Sequence, residues 1–140
     1  MSGSRYERRL VNWLDAHGWQ VMKSPASGSR TERDQPDLVA GYGGKSGPYL
    51  ALEHKTRSNK KPNLYLAAEE VDALLRFARE FGAEPRISIW WKNTQPARFY
   101  VVDIRKFHET DSGNWAIHMD TSMDEAEFTI ERPEPEDESE

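Results

Sequence analysis

No cysteine occurs in the 140 residues. That excludes disulfides, thiolate metal sites and cysteine nucleophiles, and it fits an intracellular protein. No apolar run approaches the ~20 residues that cross a bilayer, and the polar opening Met1-Ser2-Gly3-Ser4-Arg5 does not read as a secretory leader. The expectation is a cytoplasmic protein with no membrane partner. The histidines His17, His54, His108 and His118 fall at no metal-ligand spacing. A glycine-rich phosphate loop, a nucleophile elbow and internal repeats are also missing.

An excess of positive charge is missing too, but only in the sum of −5. Residues 1–106 carry 18 Lys and Arg against 12 Asp and Glu, whereas residues 107–140 carry 1 against 12. A basic body is joined to an acidic end, and a basic body suggests a polyanionic partner. Arginines outnumber lysines 12 to 7, which favours planar, bidentate phosphate contacts. A solvated surface with a solubilising tail is the plainer alternative. The length suits one core, assigned to residues 1–118, with residues 119–140 as an acidic, disordered tail.

The stretch that organises the chain runs from Pro36 to Lys55. Pro36-Asp37-Leu38-Val39-Ala40 and Tyr49-Leu50-Ala51-Leu52-Glu53-His54-Lys55 are apolar, partly β-branched runs that read as strands. Residues 41–48 are dense in chain-turning residues, which predicts two antiparallel neighbours joined by a hairpin. Side chains alternate along a strand. Glu53 and Lys55 therefore share one face, Leu50 and Leu52 take the other into a core, and Asp37 lies beside the charged pair. Two carboxylates and an ammonium so grouped suit Mg²⁺, which takes oxygen ligands and keeps several waters. The lysine can orient or help deprotonate a water and offset charge developing on a phosphate. A salt bridge across a hairpin accounts for the same three residues. His54 should point to the opposite face, as a structural residue.

Residues 4–17 read as a helix, with Ser4 and Glu7 in a capping-box pattern and Gly18 as the stop. Tyr6, Leu10, Trp13 and Leu14 form its apolar arc, extended by Val11. Glu7 falls along that arc, where a carboxylate is costly unless satisfied. It is either the capping glutamate or a residue aimed at the metal site. Arg5, Arg8 and Arg9 lie on or near the exposed side, within reach of phosphate. Residues 19–23 read as a strand, and residues 24–36 as a loop long enough to be functional or disordered. On it, Arg30 and Arg33 are placed to grip a phosphate backbone and Ser27 to donate a hydrogen bond to one. The alternative is a floppy surface loop.

Residues 56–62 read as a polar connection, where Arg57, Lys60 and Lys61 carry positive charge outward from the site. A helix over 67–81, ended by Gly82, shows the stripe Val71, Leu74, Leu75 and Ala78. Phe77 and Phe81 widen that arc beyond what one sheet face needs, which suggests self-association. Residues 86–91 and 98–102 read as strands around a turn at 93–96, with their aromatics in core and interface. Residues 114–118 read as a short strand, and Glu127-Phe128-Thr129-Ile130 as a final packing segment.

Helix with an early Glu, strand, loop, strand opening Pro36-Asp37, strand closing Glu53-His54-Lys55, helix, strands: this order resembles the PD-(D/E)xK nuclease superfamily. Tyr6-Glu7-Arg8, Ser24-Pro25-Ala26-Ser27-Gly28, Asp37-Leu38-Val39-Ala40-Gly41, Leu52-Glu53-His54-Lys55 and Phe77-Ala78-Arg79-Glu80-Phe81-Gly82-Ala83 narrow it. Across residues 4–118 they resemble the archaeal Holliday junction resolvases, in versions from salt-loving archaea or their viruses. The resemblance implies an α/β, restriction-endonuclease-like core, a mixed β-sheet flanked by helices. It implies a homodimer that cuts four-way junction DNA with Mg²⁺, for which Mn²⁺ substitutes, in company with replication or recombination factors. Carried over by motif, Asp37 and Glu53 would bind metal, Glu7 would complete the site, Lys55 would assist the attacking water, and Ser27 would be needed for catalysis. Arg8 matches a DNA-contacting arginine, and Phe77 and Phe81 match residues near the dimer interface. Lys23, expected on DNA, stands where the family often has arginine, and Trp90 where a basic residue is common. A same-fold nuclease with another DNA substrate and a non-catalytic DNA-binding subunit are the rivals.

Overall fold

Helix α1 (Ser2–Ala16) turns Tyr6, Leu10, Trp13 and Leu14 inward, and all four are buried, as a 3.6-residue period requires. Emptying one such place, by Leu10→Ala for example, costs about 2–5 kcal/mol. The helix begins before Ser4, so Ser4 is not its N-cap, and Glu7 faces other partners. The structure, a computed structural model, describes residues 2–24, 35–44 and 47–134.

After Gly18, whose φ of 95° is open to glycine, strands β1 (Trp19–Lys23), β2 (Leu38–Tyr42) and β3 (Tyr49–Ser58) run antiparallel. This is the hairpin that the sequence predicts. Gly41 is needed there, because a Cβ would lie 2.7 Å from the Tyr49 ring. β3 then pairs in parallel with β5 (Ala83–Lys92), the chain crossing over through α2 (Ala68–Phe81). β6 (Arg98–Asp103) and β9 (Phe128–Glu131) complete a mixed six-stranded sheet in the order β1-β2-β3-β5-β6-β9. The sheet curls around α1 until its outer strands approach: Trp19 of β1 stacks on Phe128 of β9 at 5.5 Å. β4 (Asn63–Leu66), β7 (His108–Glu109) and β8 (Trp115–His118) form a small second sheet in the order β4-β8-β7.

Two cores result. On the α1 face, Leu38, Leu50, Leu52, Trp90 and Phe99 pack against the helix. On the other face, Val71, Leu74 and Ala78 of α2 pack with Ala51, Ile87 and Ile89, while Leu75 of the expected stripe stays 37% exposed. The strand aromatics Trp90, Trp91, Phe99 and Tyr100 are core residues.

Two expectations are corrected. The polar connection at 56–62 is partly strand: Thr56 and Arg57 pair with Trp90 and Trp91, and β4 follows because Leu64 and Leu66 alternate inward. The acidic tail does not begin at residue 119. Residues 119–124 form α3 (Met119–Asp124), and β9 buries Ile130 at the sheet edge. The final packing segment expected at 127–130 is this strand. Of the expected tail, residues 135–140 lie outside the described residues. Among the described residues no helix is long and apolar enough to cross a membrane.

Candidate active site

The end of the sheet where β1 stops and β2 starts is where the carboxylates meet. Asp37 stands one residue before β2. Its Oδ2 accepts from the His54 backbone N–H at 2.8 Å, and its own backbone N–H reaches the Glu53 carboxylate. This exchange locks the approach of β2 to the middle of β3 and sets the two acids side by side. Glu7 enters from α1, its carboxyl hydrogen-bonding Asp37 and its Oε1 lying 3.5 Å from Lys23 Nζ at the end of β1. Glu7 does not serve a cap at Ser4 and instead meets Asp37 and Lys23.

The acids are crowded. Burial, then the Asp37 charge, pushes Glu53 up to about 8 despite Lys55. Burial first, and Asp37 next, also raises Glu7. Asp37 is raised by burial too, although the His54 N–H and the Lys55 charge pull it down. Burial is the largest cause for all three acids, and their mutual repulsion adds to it at Glu7 and Glu53. Among the described residues, no three His, Asp or Glu side chains enclose an ion by themselves.

Lys55 shares the face of Glu53, as alternation predicts, yet its ammonium pairs with Glu70 on the first turn of α2. The other Glu70 oxygen accepts from the Ala67 backbone N–H at 3.2 Å, so Glu70 caps the helix and steers the lysine together. It faces a cleft of about 330 Å³ that Glu53, Pro36 and Glu69 also line. Sequence reasoning missed Glu70. The available signal was its place one turn before Leu74, a carboxylate on a burying arc like Glu7.

His54 points away, as expected: it is buried, with its ring 5.5 Å from Phe99 and Nε2 2.9 Å from Thr56 Oγ1. Burial lowers its pKa to about 4, so the ring is neutral. Ser24 closes the base of the loop, its hydroxyl donating to the Pro36 carbonyl and its N–H to the Asp37 carbonyl at 3.0 Å. Ser27, Arg30 and Arg33 lie outside the described residues. Arg5, Arg8, Lys60 and Lys61 are exposed. Lys23 is engaged by Glu7, and Arg57 donates to the Asn63 carbonyl at 2.9 and 3.1 Å without losing its charge. Trp90 is buried and carries the Arg9 guanidinium over its ring.

Phe81 is half exposed and Phe77 packs against it at 5.2 Å. Phe81 borders an apolar groove of about 460 Å³ with Met22, Val39, Tyr42 and Tyr49, on the far side of the sheet from α1.

Comparison with known proteins agrees with this geometry. Residues 1–133 match the profile of the archaeal Holliday junction resolvase (Hjc) family. The chain is 33% identical over 119 residues to the crossover junction endodeoxyribonuclease Hjc of Sulfurisphaera tokodaii, spanning 85% of this chain and 77% of that one. It is 41% identical over 87 residues to the enzyme of the same name from Archaeoglobus fulgidus, spanning 62% and 60% of the two. The solved structure of Archaeoglobus fulgidus Hjc, a Holliday junction resolvase, superposes with a TM-score of 0.71 at 29% identity, covering 91% of this chain and 92% of that one.

Proposed function

The chain belongs to the archaeal Holliday junction resolvase family, a family of crossover junction endonucleases, and from that premise we propose how its residues resolve four-way DNA. Asp37 and Glu53, with Glu7 beside them, would hold a hard divalent cation, Mg²⁺ or Mn²⁺. Such a cation supplies Lewis-acid polarisation of a phosphoryl oxygen and an acidic water as nucleophile. The chain supplies placement. Lys55, steered by Glu70, orients the attacking water and offsets charge on the phosphate. The His54 N–H fixes Asp37, and the neutral His54 ring stays out of the chemistry. Lys23, shifting from Glu7 to a phosphate, joins Arg5, Arg8, Arg57, Lys60 and Lys61 as a cationic surround. Ser27, Arg30 and Arg33, outside the described residues, would add a hydrogen-bond donor and two cations for the phosphate backbone. Affinity of this kind is mainly electrostatic and falls with salt.

Paired cuts need two such sites, and the second comes from another copy of the chain. The apolar groove beside Phe81 would seat it: Met22, Tyr49 and Phe81, which line it together, are 65%, 49% and 50% exposed.

The observation that carries this reading is the meeting of carboxylates from α1, β2 and β3 with Lys55 at the base of a loop. A labelled four-way junction and its matching linear duplex, each with Mg²⁺, test it. Symmetric cuts in the junction alone are expected, and equal cutting of the duplex would overturn the junction assignment. Asp37→Asn should bind the junction without cutting it. If that variant still cuts, the metal assignment is wrong.

A further inference from the structure

Among the described residues, Arg9 is held as a cation with no carboxylate partner. Its guanidinium carbon lies 5.2 Å from the Tyr6 ring, 5.1 Å from Trp90 and 6.0 Å from Trp13. Arg132, just past β9, reaches the same Trp13 ring at 5.6 Å. The rings form one packed cluster, Tyr6 to Trp90 at 5.5 Å and Trp13 to Trp90 at 5.8 Å. All three are under 9% exposed, so the platform is rigid.

Three other arginines face acids, Arg86 with Glu127 and Asp103, Arg98 with Glu131 and Arg105 with Asp103, whereas Arg5 shares the Tyr6 ring at 5.2 Å. None of the ion pairs among the described residues involves Arg9 or Arg132. Stacking covers the face of a guanidinium and leaves its in-plane N–H edge free. That edge matches two phosphate oxygens. Because the rings already order the side chain, less entropy is lost when an anion arrives. Arg9 lies two residues beyond Glu7, so the two leave α1 on opposite flanks of its buried face, Arg9 toward Trp90 and Glu7 toward Asp37.

We propose that Arg9 and Arg132, laid on the Tyr6–Trp13–Trp90 cluster, form a second phosphate-gripping platform that holds the DNA backbone across α1 from the cutting site. The proposal rests on the reading of the chain as a junction nuclease. The acidic end of the chain thus returns one arginine to the DNA face.

The test is fluorescence anisotropy of a labelled four-way junction in EDTA, between about 50 and about 200 mM salt. Arg9→Gln and Arg132→Gln should each flatten the plot of log affinity against log salt by about 0.9 and weaken binding about tenfold. Arg9→Lys should keep the slope and lose only part of the affinity. An unchanged slope in both glutamine variants would overturn the platform and leave the arginines as covers on the aromatic cluster. Arg132 is exposed and follows the last strand, so its variant decides the matter if Arg9→Gln does not fold. If the wild-type protein binds no junction at all, the nuclease reading fails first, and the platform with it.

Discussion

Glu53→Gln should stabilise the metal-free protein while abolishing cleavage. Burial, and after it Asp37, lifts the Glu53 carboxyl from 4.5 to about 8. The folded protein therefore holds this proton more tightly than the unfolded chain does. Stability falls as pH rises through that window and levels off above about 8. At about 1.4 kcal/mol per pH unit the ceiling is about 5 kcal/mol. Water reaching the open cleft lowers this to an expected ~2 kcal/mol. Glutamine keeps the shape and has no proton to lose. In EDTA, thermal unfolding should show nearly equal Tm values at about pH 5 and an advantage of about 6 °C for the variant at about pH 9. Mg²⁺ should narrow the gap by raising the wild type alone. A Tm difference independent of pH would refute the reasoning, and so would a variant less stable at high pH.

Glu70→Gln keeps the cap and removes the charge that steers Lys55; single-turnover cleavage should slow about tenfold or more, with junction affinity within a factor of about two, and an unchanged rate would remove Glu70 from the site. Glu127→Ala takes the closest acid from Arg86, whose side chain is 8% exposed and which keeps the Pro85 carbonyl at 2.9 Å and Asp103 at 3.4 Å. The expected loss is about 2 kcal/mol rather than the ~3–5 kcal/mol of a fully orphaned charge, and denaturant unfolding that finds no loss would return residue 127 to a dispensable tail. Phe81→Asp should shift sedimentation at micromolar concentration from dimer to monomer with Tm little changed, and an intact dimer would place the interface elsewhere.

The hairpin at 36–55 was legible because it obeys local rules: turn residues flanked by alternating runs. Its alternation put Glu53 and Lys55 on one face and His54 on the other, where the structure has them. Glu7 was ambiguous, since a helix wheel shows that an acid faces inward but not what it meets. Glu70 was invisible for a related reason: its partner lies 15 residues back on another element. β9 was legible as a final packing segment at 127–130 but not as a sheet strand, because an edge strand needs only one buried residue in two and Ile130 sits among acids. Arg132 was masked by the same acids.

The site stands where the sheet can tolerate it. Lys23 and Leu38 are the last register partners of β1 and β2, and beyond them the ladder ends. Polar groups converging there break no strand pairing, which accounts for Glu7 and Asp37. Glu53 lies deeper, on a central strand paired on both sides. Its place is tolerated because α2 covers that face with Leu74 and Ala78 but presents Glu70 at its first turn, leaving an open cleft. There the fold accepts an acid held far above its ordinary range, beside a lysine already claimed by another acid. Both features work against the metal-free state, and both are relieved by a cation or a phosphate. A residue that served packing alone would be apolar at position 53, as its neighbours Ala51 and Leu52 are. On the proposed reading, the crowding that costs stability at Glu53 is what a bound cation would relieve, so the stability and cleavage assays of Glu53→Gln test one property in two ways.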